Sequence, residues 1–152
     1  MSEQNKALVR RWFDEVWNQG REDAVDELVA ADGVGHGVGA TPLRGPGDFK
    51  PLYRAFRAAF KDIRVTVEEA VAEGDLVAVR CRDEVTLHDG RTCTIEGGGM
   101  VRIRDGQIVE AWNQWNFLDL LEQMGSVPGN ALSQALARAG EGRGGSGGRP
   151  GA

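Results

Sequence analysis

Apolar residues recur at helical spacing in the first third of the chain and alternate with polar ones through most of the rest. Leu8, Val9, Trp12, Phe13, Val16 and Trp17 form one wide stripe, which predicts a helix over 2–19, capped by Ser2 and ended by Gly20. Ala24, Val25, Leu28 and Val29 give a short second helix over 22–30. Val34, His36 and Val38 alternate with glycines, as in a short strand whose histidine faces inward. Such a histidine serves either as a satisfied structural group or as an acid/base. After a Pro/Gly-punctuated loop, Asp48 is expected to cap a third helix carrying Phe49, Leu52, Tyr53, Phe56 and Phe60, with Pro51 tolerated in its first turn.

From there the pattern is that of strands. Ile63, Val65, Val67 and Val71 share one parity, and Val77, Val79, Cys81, Asp83, Val85 and Leu87 share another. His88-Asp89-Gly90 reads as a three-residue hairpin loop with Gly90 left-handed, which pairs Val85 with Cys93, Asp83 with Ile95 and Cys81 with Gly97. A two-residue loop would instead set Glu84 opposite Ile95 and turn charges inward. Asp105-Gly106 marks the next turn and sets Ile103 opposite Ile108, Gly99 opposite Trp112, Gly97 opposite Gln114 and Ile95 opposite Asn116.

On that register Ile108, Glu110, Trp112, Gln114 and Asn116 face inward, and Asp83 neighbours Asn116 across Ile95. Gly97, Gly98 and Gly99 then mark either a bulge or a place where a ligand presses on the backbone. Phe117, Leu118, Leu120, Leu121 and Met124 return to helical spacing and end at Gly125. The outward residues Met100, Val109, Ala111 and Trp115, beside Arg102 and Asn113, are too apolar for a face left in water, so a homodimer packed through the outer sheet face is expected.

Composition adds limits. The 152 residues suit one domain over 1–128, followed by a tail over 129–152 with a short helix at 130–139 and a disordered Gly-rich end at 140–152. A net charge of -5 argues against a nucleic-acid surface. Cys81 and Cys93 lack metal or redox spacing and read as reduced, buried thiols, and His36 and His88, the only histidines, give no metal site. No signal core or spanning run is present, so a soluble, cytoplasmic protein without membrane contact is expected.

The motif Lys6-Ala7-Leu8-Val9-Arg10-Arg11-Trp12-Phe13, the helix end Val16-Trp17-Asn18-Gln19-Gly20, the hairpin Glu73-Gly74-Asp75-Leu76-Val77 and the run from Asp105-Gly106-Gln107-Ile108-Val109-Glu110-Ala111-Trp112 to Gln123-Met124-Gly125 resemble the SnoaL-like polyketide cyclases of the nuclear transport factor 2-like superfamily. The resemblance implies an α+β fold: a curved antiparallel sheet shaped as a cone, with three N-terminal helices on its concave face. It also implies cofactor-free acid/base chemistry, an aldol-type ring closure on a polyketide-like or aromatic molecule of the kind met in antibiotic biosynthesis. The family's acid/base Asp falls at Asn116, and an amide takes no proton at neutral pH. Asn116 is left to orient a reacting oxygen or to cap the following helix, and Asp83 or His36 to act as acid/base. The substrate walls are then Trp12, Phe13, Tyr53, Phe56, Cys81, Gly97, Gly99, Trp112 and Gln114. Epoxide opening and a purely ligand-binding role are the alternatives. In limonene epoxide hydrolase, of the same superfamily, an Arg stands two residues before the strand Asp that Asp83 could match; here that residue is Cys81.

Overall fold

The structure, a computed structural model, describes residues 2–142. They divide into two compact units between Asn116 and Phe117. The first unit opens with α1 (Ser2–Arg11), which continues without a break as a π-helical segment, Trp12–Asn18, and then α2 (Ala24–Leu28). Strand β1 (Val29–His36) follows directly, then β2 (Leu43–Arg44), α3 (Gly45–Ala59) and four long strands: β3 (Asp62–Glu73), β4 (Leu76–Thr86), β5 (Thr92–Arg104) and β6 (Gln107–Trp115). They form one curved six-stranded sheet in the order β2-β1-β6-β5-β4-β3. The sheet is mixed rather than antiparallel throughout, because β1 runs parallel to β6.

The first predicted helix is present but changes its winding. Within Trp12–Asn18 the turns widen, and the Gln19 amide donates to Asp14 O at 2.8 Å, five residues back. Val9, Phe13 and Val16 are buried, while Leu8, Trp12 and Trp17 pack partly covered against α2 and α3. Helix α3 starts three residues before Asp48, whose carboxylate accepts the Arg44 backbone N–H at 2.9 Å from within the first turns. Pro51 therefore lies inside the helix, beyond its first turn.

The register of β4 on β5 is the expected one: Val85 meets Cys93, Asp83 meets Ile95 and Cys81 meets Gly97. The loop closes as anticipated, with Gly90 at φ +92° and its amide bonded to Leu87 O. Two other registers slip. On β3 an extra residue at Glu68 reverses the parity, so Val71 pairs with Ala78 and is 67% exposed. On β6 an extra residue at Val109 does the same: Ile103 still meets Ile108, but Met100 meets Trp112, Gly99 meets Asn113 and Gly97 meets Trp115. Past that bulge Ala111, Asn113 and Trp115 face the helices, and Glu110, Trp112 and Gln114 face away. Because His36 pairs with Trp112, it follows to the outer face.

Edge strand β3 is fastened to the helices at two places. Asn18 uses both ends of its amide on Val65, donating to its O at 2.9 Å and accepting its N–H at 2.6 Å, and Arg10 donates to Val67 O at 3.4 Å.

The second unit holds α4 (Phe117–Gln123) and α5 (Ala131–Glu141). Gly125, at φ +77°, ends α4 as expected. The short helix expected at 130–139 is α5, and Leu132 and Leu136 on it are 57% and 63% exposed. The disordered end expected at 140–152 lies almost entirely outside the described residues.

Candidate functional site

One polar side chain stands among the buried positions of β4. Val77, Val79, Cys81 and Val85 on its helix-facing side are 0–9% exposed, and Asp83 occupies the same row. Its cross-strand neighbours are Val65 and Ile95, both buried. Val65 has both main-chain groups turned to Asn18, so Val65 and Asp83 form a pair without mutual backbone bonds, the closer of the two antiparallel spacings. Hydrocarbon thus crowds the carboxyl from two sides.

Asp83 Oδ1 is fully buried and has no hydrogen-bond partner. Burial raises the carboxyl from its ordinary 3.8 to about 7, and no opposite charge offsets it. At neutral pH this acid is divided between its protonated and ionised forms, which suits a group that must both take and give a proton. The Cys81 thiol two residues away is pushed up to about 12, first by burial and then by the charge of Asp83. It stays protonated and is no nucleophile.

An aromatic pair lies on the same face, one cross-strand row along from Asp83. A Cβ on Gly97 would overlap the six-membered ring of Trp115, so the indole rests on the bare backbone of β5. Phe13, from the π-helical segment, meets that indole edge-on with ring centroids 6.1 Å apart. Cys81 and Gly97 thus lie one cross-strand row from Asp83, on the same face, and Phe13 reaches that row through Trp115. The glycines are explained without a ligand, however. Gly97 seats Trp115, and Cβ atoms on Gly98 and Gly99 would overlap Val79 O and Trp112 O across the strands.

Other expected site residues lie elsewhere. His36 is on the outer face, with Nε2 2.8 Å from Glu110 Oε2 and its ring stacked on Trp112 at 5.7 Å. The Arg102 guanidinium also lies 5.9 Å from the Trp112 ring centroid and in turn bonds Asp75 at 2.9 Å. Gln114 shares that outward parity and is exposed. Asn116 does not meet Asp83. Its backbone N–H donates to Glu96 O at 3.1 Å, it is exposed, and the Val109 bulge puts it in register with Glu96 and Arg82 rather than with Ile95 and Asp83. Tyr53 is buried in the cluster between the π-helical segment, α2 and α3, its hydroxyl donating to Val16 O at 2.9 Å. Trp12 packs on Phe49 at 5.1 Å, and Phe56 lies 6.0 Å from Trp17 and 6.5 Å from Phe60, so these aromatics hold helices together. Trp115, absent from the walls expected from sequence, is the aromatic that sits on Gly97 on this face. The signal for it was a glycine strand facing two tryptophans of opposite parity. Among the described residues no three His, Cys, Asp or Glu side chains are grouped as a metal site, and no helix is long and apolar enough to cross a membrane.

A curved six-stranded sheet with helices packed on one face is the architecture of the nuclear transport factor 2-like proteins. Within that class the chain belongs to the SnoaL-like polyketide cyclase family, which matches residues 7–124. Among solved structures it is similar to wild-type IdmH of Streptomyces antibioticus, a candidate polyketide cyclase. The two share 31% identity over 80% of this chain and 99% of the other, with a TM-score of 0.71. AclR of Streptomyces galilaeus, a candidate hydroxylase, shares the fold at 24% identity and TM-score 0.74, covering 84% of this chain and all of its own (100%). So does an M. tuberculosis LEH-like epoxide hydrolase, at 18% identity, TM-score 0.67 and coverage of 80% and 84%. No curated protein matches the sequence.

Proposed function

We propose that this chain is a cofactor-independent acid/base enzyme that closes a ring by an aldol-type reaction on a neutral, polyketide-like or aromatic small molecule, with Asp83 as the proton carrier. The observation that carries the reading is the Asp83 carboxyl, fully buried at Oδ1, without a partner there, and held near neutrality. As carboxylate it removes a proton from a carbon flanked by carbonyls. The resulting enolate forms a carbon–carbon bond to a second carbonyl of the same molecule. The protonated Asp83 then returns the proton to the new alkoxide. Atoms balance within one substrate, and no oxidant or co-reactant is needed.

The family's acidic position is Asn116 here, and that substitution favours a second reading, a module that binds its ligand without turning it over. Turnover of an aromatic poly-β-ketone methyl ester by wild type, Asp83→Asn and Asp83→Glu separates the two. A positioned acid/base is worth about 10²–10⁴-fold. Asp83→Asn should lose that much in kcat with the fold intact, and Asp83→Glu should recover part of it. The wild-type kcat/KM should fall below about pH 7, where the base becomes protonated. Binding without turnover in all three proteins would establish the module instead.

A further inference from the structure

The Asp83 site has a wall whose position is fixed by the sheet itself. Trp115, Gly97 and Cys81 lie in one cross-strand row, and Ile95 and Asp83 lie in the next row along. Strands stand about 4.8 Å apart, and same-side residues of one strand about 6.7 Å apart. The point above Gly97, where the indole sits, is therefore roughly 8 Å from Asp83 along the diagonal. Phe13, 7% exposed, meets the indole edge-on, whereas Trp115 itself is only half-buried and sits on the same face of the sheet as Asp83. Two elements far apart in sequence, the π-helical segment and the end of β6, thus hold one flat apolar surface at a set distance from one acid. Such a surface stacks on a planar ring and stops it from sliding further along β5.

We infer that Trp115 is the specificity-determining wall of this site, its indole fixing how large a fused-ring system reaches the Asp83 carboxyl. The inference rests on Asp83 marking the site, as proposed above. It adds that ring size, and not only the reacting carbonyl, is read by the protein. Shortening the wall should admit longer ring systems and weaken shorter ones that depended on the stacking contact.

The test is binding, so it does not depend on turnover. Acetylnaphthalene and acetylanthracene, neutral ketones differing by one fused ring, are titrated calorimetrically into wild type, Trp115→Phe and Trp115→Ala, with thermal melting as the check on folding. Wild type should prefer the smaller ketone. The ratio of the two Kd values should move toward the larger one in the order Phe then Ala, by roughly 10-fold in the alanine variant, the upper range of an aromatic contact. Trp115→Phe keeps a ring against Gly97, so the trend remains readable if the alanine variant fails to fold. Asp83→Asn should leave the ring-size ratio unchanged. Equal loss for both ketones, an unchanged ratio in both tryptophan variants, or no binding to wild type would overturn the inference. If Asp83→Asn kept full turnover while the ratio still shifted with Trp115, the acid/base assignment would fail and the wall would stand.

Discussion

Replacing Asp83 by Asn tests the burial of the carboxyl without a substrate. In the folded chain the group titrates near 7 and in the unfolded chain near 3.8. Between those values the native state holds a proton that the unfolded state has released, so stability falls as pH rises through this window. Asp83 thus contributes stability that is fully present below about pH 4 and lost by about pH 7. About three units at 1.36 kcal/mol each give a swing of up to about 4 kcal/mol. Asn carries no such proton. Its own amide, left without a partner at the Oδ1 position, costs about 1–3 kcal/mol at every pH and shifts the curve without tilting it. The difference between variant and wild type, from urea unfolding at pH 4 to 8, should therefore climb in the variant's favour by several kcal/mol and flatten above about pH 7. Asp75 and Asp89, whose carboxyls are held below their ordinary value by hydrogen bonds from Arg102 and Arg91, act below this window and alike in both proteins, so they cancel on subtraction. Two parallel curves would show that Asp83 is solvated, and would remove the basis of the proposed chemistry with it.

Two further expectations concern surfaces remote from this acid. We propose that the homodimer forms through the outer sheet face, where Val71, Ala78, Met100, Trp112 and His36 make one continuous cross-strand row. Met100, 45% exposed at its centre, should tolerate Lys in a monomer, so Met100→Lys should shift sedimentation from dimer to monomer with little change in far-UV signal, and a wild-type monomer at micromolar concentration would end the proposal. Tyr53→Phe removes one hydroxyl bonded to Val16 O and should lower stability by about 1 kcal/mol while leaving ligand affinity unchanged; a loss of affinity would place Tyr53 at the site after all.

The part of the site that lies on β4 and β5 was legible in sequence because a turn fixed it. With Gly90 in the loop, only one register keeps Arg82 and Glu84 off the buried face, and Asp83 follows from simple alternation. The part on β6 was not legible. Ile108 and Trp112 argue for one face, and Val109, Ala111 and Trp115 for the other, so alternation does not tell a continuous strand from one with an extra residue at Val109. That single residue moved Trp112, Gln114, Asn116 and, through the pairing with β1, His36 away from the acid, and brought Trp115 to it. The wide winding of Trp12–Asn18 was equally hidden, since its apolar stripe fits an α-helix. The stripe carrying Tyr53 and Phe56 shows which side of the helix is covered, not whether a ligand or a neighbouring helix covers it, and here Trp17 packs against both.

The Asn18 and Arg10 contacts on β3 bear on what the molecule avoids. An open sheet edge is a template on which another chain can lay down a strand, the first step toward fibrous aggregates. Here one edge is only the two residues Leu43–Arg44, too short to guide a newcomer. The other is long, but both backbone groups of Val65 and the carbonyl of Val67 are already bonded by side chains of the protein's own first helical stretch. Loss of the Asn18 amide would therefore be felt less in the folded monomer than in storage at high concentration, as strand-by-strand growth of insoluble protein.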